Sequence, residues 1–286
     1  RFAALAGRPD HEHTPSNAGA PEAIALCEAV GAPVEAGAHP ALWAPASVVP
    51  LGGGRTAPWP HFGDRAKPGV IAVTRWGDRF SNEGLMYHDF VPAMAAAAGN
   101  GPVEAFLVAD HRAIRRYGLG PIGPFPIPLG PFIARGYVRR AETVEALAAT
   151  IGVPPERLAA TVARFNAHAA RGEDPDFGRG ADPYSRAAGD AEHRPNPSLG
   201  PLDTPPFYAV RIVSGDIGGL AGLATDPEAR VLDGAGAPIP GLFAAGNAAA
   251  SLAGGTYPGA GVTLGPALTF GMIAGRNAAR APAPAG

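Results

Sequence analysis

Tyr257-Pro-Gly-Ala-Gly-Val-Thr-Leu-Gly-Pro-Ala-Leu-Thr-Phe-Gly-Met-Ile-Ala-Gly275 joins a glycine-rich turn directly to an apolar segment of helical length. Gly259 and Gly261 carry no Cβ, so the backbone there can take positive φ and come close to a ligand. Thr263 is placed as an N-cap. Pro266 is tolerated in the first turn, where amides have no intrahelical acceptor. Residues 267–279 show almost no polar face, which predicts a helix packed on several sides. Such a turn aims free N–H groups and the positive end of a helix dipole at whatever lies above it. Suitable occupants are an anion, or an electron-rich ring that becomes negative on reduction. Taken alone, the same residues also suit a tight turn before a core helix.

The preceding residues favour the ligand-binding reading. Gly241-Leu-Phe-Ala-Ala-Gly-Asn247 has the pattern of a short buried strand ended by a loop. Residues 248–255 then offer few side chains that could obstruct a ligand. Strand, small-residue loop, glycine turn and helix is the order in which open α/β sheets place cofactors at strand ends. The fold class read from this order is α/β.

With Gly255-Thr-Tyr-Pro-Gly-Ala-Gly-Val-Thr-Leu-Gly-Pro-Ala267, this stretch resembles the C-terminal flavin-binding segment of the 3-ketosteroid Δ1-dehydrogenases. These FAD-dependent oxidoreductases belong to the fumarate reductase/succinate dehydrogenase flavoprotein superfamily. The likeness extends through Phe207-Tyr-Ala-Val-Arg211, Gly215-Asp-Ile-Gly-Gly-Leu-Ala-Gly-Leu-Ala-Thr-Asp226 and Arg79-Phe-Ser-Asn-Glu83. It implies a remnant of a Rossmann-like FAD-binding domain with an inserted α+β substrate (cap) domain. The implied boundaries are 1–47 and 215–286 for the FAD-domain parts and 48–214 for the substrate domain. The family's dinucleotide fingerprint lies near its N-terminus and does not occur here. The chain is therefore expected to be the C-terminal portion of a longer flavoprotein, and not to hold FAD stably by itself.

Removing two hydrogens beside a ketone needs a donor to polarise the carbonyl, a base for one proton and an acceptor for the hydride. The resemblance assigns the first role to the Tyr257 hydroxyl, seconded by the Gly261 N–H, and the base to Tyr87, which follows Asn82-Glu83. It places Gly246, Asn247 and the amides of Gly261, Val262, Thr263 and Leu264 at the flavin. A free phenol titrates near ~10, so Tyr87 needs neighbours that lower its pKa or relay its proton. His88 is a rival base with a better-placed intrinsic pKa, or else a surface partner of Asp89. Either tyrosine could instead be a packing residue. Fumarate reductases resemble Asn-Arg where this chain has Thr256-Tyr257, which argues for a small, apolar ketone over a dicarboxylate. The electron acceptor is unassigned. Pro121-Ile-Gly-Pro-Phe-Pro-Ile-Pro128 suits an apolar substrate mouth or a rigid surface loop. The alternatives are another superfamily dehydrogenase or reductase, such as a Δ4-type ketosteroid enzyme, and a non-catalytic fragment.

Composition narrows the partners. A net charge of -2 over 286 residues, with 17% charged, offers no basic surface for nucleic acid. No apolar run reaches the ~18 residues of a membrane span. The single cysteine, Cys27, excludes an intrachain disulfide and fits cytoplasmic residence. No metal is assigned, since His11-Glu-His13 is weak ligand spacing. Gly118, Gly120 and Gly123 have the spacing of a dinucleotide loop but follow a helical pattern and enclose prolines. No Ser-His-Asp set with a nucleophile elbow appears. Helices are expected over 21–30, 87–98, 142–151 and 154–171, with a further one to 117 capped by Asp110. Strands are expected over 69–74, 104–109, 207–213 and 229–232. The stretches 34–60, 118–131 and 172–206 read as irregular.

Overall fold

The computed structural model describes residues 11–13 and 21–280. The chain divides into one unit built on Trp43–Gly215 and another built on Asp216–Gly286 with the segment ending at Leu42.

In the first unit, Phe207–Val213 is the central strand of a six-stranded antiparallel sheet. Its near-continuous apolar run is buried on both faces, as a central strand requires. Glu104–Ala109 pairs along one edge in the register Leu107↔Val210, and Val70–Val73 pairs outside it. The other edge carries Val138–Ala141 and then Ala46–Gly52, which meets the central strand at Ala46↔Val213. Arg55–Pro60 closes that side.

The irregular reading of 34–60 is overturned here. Ala46–Gly52 and Arg55–Pro60 form a hairpin turned by Gly53 and Gly54 at positive φ. The prolines that argued against strands sit where they cost little. Arg55–Pro60 is an edge strand, so Pro58 and Pro60 forfeit no ladder bond on its open side.

Two helices cover one face of the sheet. Val144–Ile151 begins at Thr143, whose side chain accepts the Ala146 N–H at 3.1 Å, and ends at Gly152 in the left-handed region. Pro155–Ala169 starts on a proline pair and buries Leu158, Val162, Phe165 and Ala169, a single stripe at helical spacing. With Ile71, Val73, Val108, Leu147 and Phe207 these form the core. His111–Tyr117 is capped by Asp110 as expected, the carboxylate accepting Ala113 N–H at 2.7 Å. The stretch 172–206 is packed rather than loose. It contains the helix Pro183–Ala188, a buried Arg179, and Asn196 bonded to the Gly172 and Gly180 carbonyls. Its polar composition hid this because the side chains bond inward to main chain.

In the second unit Val34–Glu35 pairs with Gly222–Leu223, and Arg230–Leu232 with Pro238–Phe243. Ala32, Leu223, Val231 and Ala244 form its small core. The strand Pro238–Phe243 is only partly covered, not buried as its apolar run suggested, because among the described residues Arg230–Leu232 is its only sheet partner. Helix Leu264–Ala278 departs further from expectation. None of its residues is buried, and Leu264, Leu268 and Met272 stand 64%, 67% and 53% exposed. Within this unit the helix meets mainly the 246–248 turn and the strand Pro238–Phe243. Among the described residues no helix is long and apolar enough to cross a membrane.

Candidate functional site

A cleft opens in the second unit between the turn Gly246–Ala248, the loop 249–252 and the start of helix Leu264–Ala278. Gly246, Asn247, Val262 and Thr263 line it, with Pro266 and Phe270. The structure thus gathers four of the six sequence-assigned cofactor residues around one space. Gly261 and Leu264 are their chain neighbours outside the lining. Gly259 and Gly261 take φ of +149° and +95°, and a Cβ on either would meet nothing within 4 Å. Glycine is required at both by backbone conformation, while the space above them stays open. Thr263 occupies the N-cap position, but its side chain makes no capping bond. The expected cap is therefore absent: Gly265 N–H donates instead to the Gly261 carbonyl at 2.8 Å and Ala267 N–H to that of Thr263 at 3.2 Å, while Pro266 has no N–H to satisfy.

The approach to this turn is fixed by backbone packed on backbone. Ala38 N–H donates to the Gly254 carbonyl at 2.8 Å. A Cβ at Gly37 would fall 2.1 Å from that oxygen, and one at Gly255 would fall 2.4 Å from His39 N. Likewise a Cβ at Gly222 would fall 2.3 Å from the Ala249 carbonyl carbon, so the small-residue loop lies directly along that strand. Tyr257 follows, half-buried, in the loop between this anchor and the glycine turn. Small-residue walls beside the start of a helix are chemically compatible with the ring end of a flavin.

Tyr87 belongs to the other unit, where it opens the helix Tyr87–Ala98. It is half-buried, its ring 4.8 Å from that of Phe62 at 59°. The segment before it is held by charge. Glu83 is fully buried and accepts Arg79 Nε and Nη2 at 2.9 and 2.7 Å, Arg179 Nη1 at 3.1 Å and Ala72 N–H at 3.0 Å. Burial alone would raise its pKa, but the two guanidinium groups and the amide outweigh it and hold it at about 2. Arg79 also forks onto Asp174 at 2.8 and 2.9 Å, its guanidinium lying over the rings of Phe165 and Phe177. Asn82 Oδ1 accepts Gly84 N–H, closing the turn. His88 is buried, not paired at the surface, and its Nδ1 accepts the Trp43 N–H at 3.2 Å.

One array was not legible in sequence. His61 Nδ1 lies 2.6 Å from Asp64 Oδ2, and His61 Nε2 lies 2.8 Å from Ser47 Oγ, itself 2.7 Å from Tyr137 OH. This is Ser-His-Asp connectivity, missed because Ser47 and Tyr137 are distant in sequence and only His61 and Asp64 share a turn. It is a brace rather than a hydrolytic site, since Ser47 and His61 are 1% and 0% exposed. The Gly120 N–H also donates to Asp64, so the 118–123 glycines form a turn held by a carboxylate, not a phosphate loop.

Burial alone would raise the Asp64 pKa, but His61 and the Gly120 amide hold it at about 2 against an ordinary 3.8. A carboxyl whose pKa is depressed in the folded state stabilises fully above its unfolded value and loses that contribution as pH falls. Roughly 2 kcal/mol should disappear between about pH 4 and pH 2. Asp64→Asn should flatten this limb of the stability profile, measured by urea unfolding across the acid range. An unchanged limb would show that Asp64 is not held by the brace.

Residues 3–264 match the model of the FAD binding domain family. The chain belongs to that FAD-binding family. Among curated relatives, this flavoprotein is 47% identical to a 4-oxocyclohex-2-ene-1-carboxylate 5-dehydrogenase of Sinomonas cyclohexanicum, over 83% of the chain and 40% of the relative. It is 40% identical to a 3-oxosteroid 1-dehydrogenase of Mycobacterium tuberculosis, over 82% of the chain and 42% of the relative. Its fold superposes on a 3-ketosteroid delta1-dehydrogenase from Sterolibacterium denitrificans in complex with 1,4-androstadiene-3,17-dione. That match has a TM-score of 0.83 and 38% identity, over 91% of this flavoprotein and 46% of the solved chain. The chain thus spans less than half the length of these relatives.

Proposed function

We propose that this chain supplies the ring-facing flavin cleft and the proton-handling residues of an FAD-dependent enzyme that desaturates a cyclic ketone beside its carbonyl. The observation that carries this reading is the cleft lined by Gly246, Asn247, Val262 and Thr263, which the same loop joins directly to Tyr257. The parts built on 1–47 and 215–286 are read as a Rossmann-like FAD-domain remnant, and 48–214 as the cap that covers substrate. The setting is cytoplasmic.

FAD, when bound, would supply the acceptor for the hydride. The chain's own residues prepare the ketone for that transfer. The Tyr257 O–H donates to the carbonyl oxygen, seconded by the Gly261 N–H, and together they favour the enolate. That makes an α-hydrogen acidic enough for Tyr87 to remove. Gly246, Asn247 and the amides of Gly261, Val262, Thr263 and Leu264 would hold the ring, and the positive end of the helix would favour negative charge there.

A second reading of the substrate rests on similarity. The relative acting on an oxocyclohexene carboxylate is 47% identical and the steroid enzyme 40%. A small ring ketone bearing one carboxylate is therefore the alternative to a 3-ketosteroid. The test is turnover of both ketones by the flavin-loaded enzyme with an artificial electron acceptor. The expected product is lighter by two hydrogens, with the higher kcat/KM naming the class. Products lighter by two hydrogens from neither ketone would end this reading.

A further inference from the structure

Arg65 is 1% exposed, yet among the described residues no carboxylate accepts a hydrogen bond from its side chain. Every acceptor is a main-chain carbonyl. Nε donates to His61 O at 3.1 Å, Nη1 to Glu83 O at 2.9 Å, and Nη2 to both Phe62 O and Leu85 O at 3.1 Å. Its guanidinium also lies 4.4 Å from the centroid of the Phe90 ring, which is fully buried. Burial lowers its pKa to about 10, which leaves it a cation at neutral pH.

These contacts surround one residue in sequence. Glu83 and Leu85 lie before Tyr87, and Phe90 lies after it on the first turn of the helix Tyr87–Ala98. Phe62, whose carbonyl shares Nη2 with that of Leu85, packs its ring on Tyr87. The same turn is anchored at its other end, where His61 and Asp64 hold Ser47 and Gly120. Among the described residues, no other buried cation spreads its donors over both the segment entering Tyr87 and the main chain of the residue whose ring packs on it.

We infer that Arg65 is the positioning residue of Tyr87: it ties the 83–85 main chain to the His61–Arg65 turn and so fixes where the phenol stands. This rests on the reading of Tyr87 as base. Arg65 touches no reacting atom. A lysine at 65 keeps the charge but presents a point donor in place of the planar fork that reaches four carbonyls.

The experiment compares Arg65→Lys, Phe62→Leu, Tyr87→Phe and the Arg65→Lys/Tyr87→Phe pair in the flavin-loaded enzyme. For each, kcat, KM, flavin content and thermal unfolding are measured. Misplacing a catalytic group by about 1 Å can cost about a hundredfold. Arg65→Lys should lower kcat by about tenfold or more, with KM and flavin content within about twofold. In the Tyr87→Phe background, assayed at high enzyme concentration, it should cause little further loss. A kcat kept within twofold, or a loss that adds in full to that of Tyr87→Phe, would overturn the inference. Should Arg65→Lys fail to fold, Phe62→Leu carries the test with the same kcat-only loss expected, and an unchanged kcat overturning it. If Tyr87→Phe alone keeps normal turnover, the base reading falls first and takes this inference with it. That outcome is visible in the single variant.

Discussion

Tyr257→Phe is expected to lower kcat by about 10²–10³ and to leave flavin content unchanged. The substitution keeps the half-buried ring and its place in the loop, and it removes only the hydroxyl proposed to polarise the ketone. Loss of one donor aimed at a developing oxyanion costs about 3–4 kcal/mol of transition-state stabilisation. The cleft that fits the flavin is lined by Gly246, Asn247, Val262 and Thr263 rather than by Tyr257, so cofactor occupancy is an internal control. KM should change far less than kcat, because the donor acts mainly on the charge that develops during reaction. The checks are steady-state kinetics with the preferred ketone and flavin absorbance per protein. Turnover close to normal would make Tyr257 a packing residue.

The largest loss of stability is expected at Glu83. Its carboxylate is fully buried and accepts from Arg79, Arg179 and the Ala72 amide, joining the sheet to the segment before Tyr87. Glu83→Ala would leave the Arg179 guanidinium buried without its carboxylate partner and break half of the Arg79 pairing. Breaking a buried pair from one side costs about 3–5 kcal/mol. Glu83→Gln keeps the shape and one acceptor, so its cost should be smaller. Urea unfolding of both variants is the measurement. A loss below about 1 kcal/mol for Glu83→Ala would show that the network relaxes and does not fix this segment.

The contrast between Glu83 and Tyr257 shows what could be read from residues. The glycine turn was legible because its chemistry is local: positive φ at Gly259 and Gly261, a following helix, and small residues before it. The apolar stripe of Pro155–Ala169 and the Asp110 cap were legible for the same reason. The hairpin at Ala46–Pro60 was hidden because proline is read as a strand breaker, whereas an edge strand tolerates it. The Ser47-His61-Asp64-Tyr137 brace and the Arg79-Glu83-Arg179 network join residues far apart in sequence, and spacing carries no trace of them. Arg79-Phe-Ser-Asn-Glu83 was noticed only as a likeness. Its physical content is an ion pair that anchors a loop. The apolar helix Leu264–Ala278 marks the opposite limit, since hydrophobicity said it should be covered and not what would cover it.

The proposed reaction has a cyclic ketone delivering hydride to a flavin held at the cleft lined by Gly246, Asn247, Val262 and Thr263. Its most direct test is an anaerobic titration of the flavin-loaded enzyme with a 3-ketosteroid and with 4-oxocyclohexanecarboxylate. With one of them the oxidised-flavin absorbance should disappear on addition of about one equivalent, and one equivalent of the desaturated ketone should appear. An oxidised-flavin spectrum that persists with both ketones, in protein that has retained its cofactor, would contradict the account.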